Sequence, residues 1–149
     1  MKKFYIAISV VILVTAVILR VEQWQEGKLK EGLVKINNTT IKVEVAETPL
    51  AREKGLSGRE KLDQNKGMLF IFPQKDYYSF WMKEMKFPID IIWISDNRVV
   101  DIAYDLPLQA SEFLKTYQPK EPVNFVLEVN AGFSKKYNIK IGDRVEIEY

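Results

Sequence analysis

Two patterns of apolar residues divide the chain. Phe4 to Leu19 (FYIAISVVILVTAVIL) carries no charge and no proline and is apolar on every helical face. From Leu33 onward the pattern changes to alternation. In LVKINNTTIKVEVAE apolar and polar residues exchange with a period of two, which predicts strands over Leu33–Ile36 and Thr40–Val45 with Asn37-Asn38 as the turn. TPLAREKGL predicts a short helix over Pro49–Lys54: Thr48 can cap it, Pro49 suits its first turn and Gly55 can end it.

The apolar run Gly67–Phe72 has strand length and stops at Pro73, and Tyr77–Met82 is a further strand candidate. Ile89–Ile94 is a strand rich in β-branched residues, and Ser95–Arg98 turns it back into Val99–Tyr104 as a hairpin. Asp105–Pro122 carries three prolines and reads as a long loop. Val123–Val129 alternates again, with Phe125 and Leu127 on one face. Asn130 is placed to cap a helix over Ala131–Tyr137, which Asn138 ends. Gly142-Asp143 turns the chain into a last strand, Arg144–Tyr149. About eight short strands and two short helices imply a mainly β (α+β) domain. The expected architecture is a small closed or nearly closed β-barrel with peripheral helices, and a β-sandwich is the alternative.

The first pattern reads as an address. As a helix, residues 4–19 span about 24 Å, somewhat less than a hydrocarbon core of about 30 Å. Snorkelling of Lys3 and Arg20 covers the difference. A cleaved signal peptide needs a small-residue site beyond the apolar run, and Val14-Thr15-Ala16 lies inside it. Residues 1–20 are therefore expected to be a single-pass membrane anchor, 21–32 a tether and 33–149 the folded domain. Secretion after cleavage is the alternative. Lys2 and Lys3 outweigh Arg20 and favour a cytoplasmic N-terminus with the domain extracytoplasmic.

Composition then narrows the chemistry. Histidine and cysteine are absent, which removes the commonest general base near neutral pH, thiolate chemistry and the usual zinc ligands. No metal or other cofactor is expected. The formal charge is +2, of which Lys2, Lys3 and Arg20 supply +3; the remaining −1 gives the domain no footprint for nucleic acid. No phosphate-binding loop, dinucleotide fingerprint, G-x-S-x-G elbow or EF-hand loop occurs.

A series of motifs has a characteristic order: Gly55-Leu56-Ser57-Gly58-Arg59, Gly67-Met68-Leu69-Phe70-Ile71-Phe72, Ser79-Phe80-Trp81-Met82-Lys83, Pro88-Ile89-Asp90-Ile91, Val126-Leu127-Glu128-Val129 and Ile141-Gly142-Asp143. Together they resemble the bacterial and archaeal family called domain of unknown function 192, over about residues 40–149. The resemblance implies a compact, mainly β fold and brings no established activity. Family members often carry an export signal or anchor. Many resemble SFWMKNT at the central motif, where this chain has Glu84-Met85 in place of the Asn-Thr pair.

The candidate site residues lie in these motifs. In a strand Phe80 and Met82 point one way, into a core with Ile91 and Trp93, and Trp81 and Lys83 point the other. An exposed Trp81 beside Lys83 suits stacking on a sugar ring or a partner's apolar side chain. Asp90 interrupts an apolar strand, so a partner must compensate its charge: backbone amides, Lys83, Arg59 or a ligand. Glu128 and Asp101 read as outward residues of half-exposed strands. Arg59 suits an anion or a salt bridge. The leading expectation is a non-catalytic module that binds an envelope glycan or envelope protein around Trp81, Lys83 and Asp90, with Arg59 and Glu128 contributing. The alternatives are a hydrolase or lyase using paired carboxylates such as Asp90 and Glu128, and an assembly scaffold.

Overall fold

The computed structural model describes residues 29–109 and 115–149. The helix expected over residues 4–19 and most of the tether lie outside the described residues. Among these, no helix is long and apolar enough to cross a membrane. In the described residues nine strands and two short helices follow one another: β1 (Lys30–Ile36), β2 (Thr39–Ala46), α1 (Pro49–Lys54), β3 (Lys66–Asp76), β4 (Phe80–Trp81), β5 (Ile89–Ser95), β6 (Arg98–Leu106), β7 (Thr116–Tyr117), β8 (Val123–Asn130), α2 (Phe133–Lys136) and β9 (Val145–Glu148). Strand β1 begins at Lys30, inside the expected tether.

Seven strands form one sheet in the order β6-β5-β8-β3-β2-β1-β9. Its pairs are antiparallel except β2 with β3, which run parallel around α1 and the segment after it. The sheet curls into a half-barrel. Its outer strands meet at one end, where Arg98 bridges Arg144 and the Val99 N–H donates to the Asp143 carbonyl at 3.0 Å. The expected mainly β domain with two short helices is present, but its large sheet is a curled half-barrel, neither the closed or nearly closed barrel expected nor a sandwich.

Alternation gives this sheet two apolar faces. Val34, Ile36, Ile41, Val43, Leu69, Ile92, Leu127 and Val129 pack on the inner face, closed at one end by Phe133 of α2. Met68, Phe70, Ile89, Ile91, Trp93 and Val126 point outward, yet they are buried as well, beneath Leu56, Met82 and Leu106. Burial of each such side chain stabilises by roughly 1.5–3 kcal/mol. Segments 55–65 and 77–88, together with the small β4–β7 ladder, provide this second layer.

Local details differ from the sequence expectation in four places. Strand β3 runs through Pro73 to Asp76, with its pairing to β8 broken between Ile71 and Asp76, which is where a residue without an N–H is tolerated. The expected loop over Asp105–Pro122 contains β7, paired with β4. Asn130 does not cap α2; its amide donates to the Leu62 and Asp63 carbonyls at 3.0 and 3.2 Å, and Gly132 takes the cap position. Helix α2 is accordingly shorter than Ala131–Tyr137. Helix α1 forms as the sequence indicates: the Thr48 hydroxyl accepts from the Ala51 N–H, Pro49 opens the helix and Gly55 closes it at a positive φ.

Candidate functional site

A cleft of about 220 Å³ opens on the outer face between α1 with its following turn and the β3–β4 connection. Its walls are aromatic. Phe70 meets Phe80 edge-on at 5.0 Å, and Phe72 stacks on Tyr78 at 3.6 Å. Trp81 and Met85 stand at the rim, and Glu128 reaches in from the sheet. The rings converge because Phe70 and Phe72 occupy outward positions of β3 while β4 crosses above them. Gly55 lets the chain pass Phe70: a Cβ there would lie 3.2 Å from the ring.

Glu128 is 4% exposed, a correction to its expected place on a half-exposed strand. Met68 of β3 and Ile91 of β5 are its cross-strand neighbours. Gly67 brings β3 close: a Cβ on it would lie 2.8 Å from the Glu128 carbonyl oxygen. Among the described residues the Glu128 Oε2 has no hydrogen-bond partner. Burial pushes its pKa from an ordinary 4.5 up to about 8, against a smaller opposing pull from Arg59. Arg59 itself is bound in a two-pronged pair with Glu44 of β2, at 2.7 and 2.6 Å. That pairing lowers the Glu44 pKa and raises that of Arg59, chiefly through the hydrogen bonds. Arg59 is thus a salt-bridge residue beside the cleft.

Trp81 is 48% exposed, and the Lys83 ammonium lies 5.9 Å from its ring centroid. Phe80 and Met82 point inward, so the two sides of this segment are as the alternation predicts. The loop after it is pinned by the turn that follows α1: the Ser57 hydroxyl donates to the Lys83 carbonyl at 2.8 Å and the Gly58 N–H to that of Glu84 at 2.9 Å.

Asp90 does not join this group. It is 0% exposed and faces the inner side. Its Oδ1 accepts from the Asp105 and Gly132 N–H groups at 2.8 and 3.1 Å, and its Oδ2 from the Ser134 N–H at 2.8 Å. These three amides, and neither Lys83 nor Arg59, compensate its charge. Asp101, expected to be outward, is 7% exposed and accepts from the Ile102 and Lys120 N–H groups. Among the described residues no cluster of three carboxylates could hold a metal ion.

The structure therefore brings Trp81, Lys83, Arg59 and Glu128 to one side of the sheet and leaves Asp90 on the other. Phe70, Phe72, Tyr78 and Met85 were not among the sequence candidates. The outward positions of Gly67–Phe72 carried the signal, since they are as apolar as the inward ones and had to be covered by something. Met85, one of the two residues that depart from the Asn-Thr pair, lies on the cleft.

Residues 32–147 match the family DUF192, described as Uncharacterized ACR. A crystal structure from Sinorhizobium meliloti 1021, described as a candidate transcription regulator, is 30% identical. It superposes with a TM-score of 0.74, over 80% of this chain and 95% of that one. A protein of unknown function from Novosphingobium aromaticivorans DSM 12444 is also 30% identical, with a TM-score of 0.71 over 79% of this chain and 84% of that one. No curated protein matches the chain.

Proposed function

The chain belongs to the domain of unknown function 192 family, and on that footing we propose that its half-barrel is a membrane-anchored, extracytoplasmic module that binds an envelope glycan. The observation that carries this reading is the aromatic cleft with Trp81 half-exposed at its rim and an unpartnered carboxyl at its floor. Flat apolar faces and polar rings of a sugar stack well on such aromatic side chains. The volume suits a group of one or two rings better than a drug-sized ligand, since pockets for those run to about 300–1,000 Å³. The apolar run over residues 4–19 supports anchoring, and the charge preceding it supports an outward-facing domain.

An envelope protein is the other partner class that Trp81 could serve, but a concave site favours the glycan. The paired-carboxylate hydrolase or lyase lacks support: Asp90 and Glu128 face opposite sides of the sheet. The near-neutral domain offers nothing to carry over the regulator description of the Sinorhizobium protein.

Calorimetric titration of the soluble domain with solubilised envelope glycan fragments tests the proposal. Binding that weakens at least tenfold in Trp81→Ala, with unchanged thermal stability, supports it. Absence of heat with both proteins removes the glycan reading. Protease protection of the domain in intact and opened cells tests its location.

A further inference from the structure

Glu128 is the polar side chain that enters the cleft from the sheet, and its surroundings define what it can bind. Among the described residues, the ionisable groups near it are engaged or stand at the margin. Arg59, in the segment after α1, is held by Glu44 of β2. Arg52 of α1 donates to the Glu47 and Ile71 carbonyls and lies over the Phe72 ring. Glu53 and Lys54 line the opening, and the Tyr78 hydroxyl donates to the Gln74 carbonyl. The facing residues of β3 and β5, Met68 and Ile91, do not titrate.

An acid so enclosed holds its proton at neutral pH. It then differs from a carboxylate in one decisive respect: it has an O–H to donate. A carboxylate satisfies ligand hydroxyls but repels a ligand carbonyl, whereas the neutral acid can bond to that carbonyl. The walls beside it, Phe70 and Phe80, ask for an apolar group next to this acceptor. An acetamido substituent supplies both, a carbonyl oxygen and a methyl group on the same carbon.

We infer that Glu128, as the neutral acid, donates its O–H to an amide carbonyl of the ligand, so that the cleft selects an N-acetylated amino sugar. The inference rests on the glycan reading and specifies it further. Loss of the proton turns the donor into a second acceptor facing the carbonyl, so affinity follows the protonated fraction of Glu128.

The test compares N-acetylated chitotriose with cellotriose, which carries a hydroxyl in place of each acetamido group and is uncharged at every pH. The wild-type domain should prefer the N-acetylated trimer, and its affinity should fall roughly tenfold between pH 7 and pH 9, as the binding-competent fraction falls. In Glu128→Gln the amide N–H takes the donor's place, so the affinity should change level yet stay flat over that range. Equal binding of the two trimers, or wild-type binding that is flat from pH 7 to pH 9, overturns this inference while the glycan reading stands. No binding of either trimer at any pH overturns the inference, and the reading itself falls only if envelope fragments also fail to bind.

Discussion

Asp90 and Glu128 lie one register step apart on paired strands and face opposite sides of the sheet. Asp90 pairs with Val129 and Glu128 with Ile91, and adjacent residues of a strand alternate in direction. One carboxylate is surrounded by backbone donors; the other lines the aromatic cleft. Their chemistry separates accordingly.

Asp90 joins β5 to the end of β6, at Asp105, and to the start of α2. Asp90→Ala leaves those three N–H groups without an acceptor and should destabilise the domain by about 3 kcal/mol or more, given the strength of hydrogen bonds to a buried charge. Asp90→Asn should fall between, because its amide keeps one acceptor oxygen and loses the other. Urea unfolding monitored by tryptophan fluorescence measures both, and a wild-type midpoint in Asp90→Ala would refute the structural role.

Glu128 predicts a pH dependence with a definite sign. Its folded pKa lies above its unfolded value, so the folded state binds more protons between pH 4.5 and about 8. The contribution is most favourable below pH 4.5, declines as pH rises through that window and is lost above about 8. The slope approaches roughly 1.4 kcal/mol per pH unit for one proton. Glu128→Gln should remove this slope and gain on the wild type as pH rises from 5 to 9. Parallel stability curves for the two proteins would show that the burial has no such effect.

Arg59 acts on two acids at once. Arg59→Gln breaks the two-pronged bond to Glu44, at a cost of about 1 kcal/mol for a pair roughly one-third exposed. It also removes the cation that opposes the burial of Glu128, so the Glu128 carboxyl should titrate at higher pH, read from its side-chain carbon chemical shift. Arg59→Lys should not restore wild-type behaviour, since an ammonium lacks the planar fork.

Glu84 occupies a left-handed conformation, with φ 56°. Among the described residues the other non-glycine positions with positive φ are Asn37, Asp96, Asp105 and Asn138. Asn and Asp tolerate that region and Glu does so less well. Glu84→Asn should therefore stabilise the domain by roughly 0.5–1 kcal/mol, measurable as a higher thermal midpoint. The family resemblance places an Asn here in many members, so the left-handed turn gives that residue a conformational reason. The backbone bond from Gly58 to Glu84 does not depend on the side chain.

Much of the fold was legible because its signals are local. Alternation located β1, β2 and β8, a β-branched run and the turn after it located β5 and β6, and Thr48, Pro49 and Gly55 marked α1. The same alternation put Phe80 and Met82 inward and Trp81 and Lys83 outward. Four positions were not legible in this way. Pro73 hides a strand that continues past it, because the break in pairing that accommodates it is made with β8, about fifty residues on. Asn130 has the composition of a helix cap, yet its partners are carbonyls near residue 62. Glu128 and Asp101 alternate like solvent-facing residues, and the cover over them comes from distant segments.

The sequence by itself determined the strands of the large sheet, the short helix from Pro49, the lack of histidine and cysteine chemistry and the family. Each of these depends on residue type and near-neighbour spacing. Tertiary structure alone decided the sheet order, the sealing of Asp90 by amides more than a dozen residues away and the burial of Glu128 among aromatic rings. A period of two encodes two faces of a strand but not what lies on them. That is set by long-range packing of non-periodic segments, and here it turned an apparently exposed acid into the floor of a cleft.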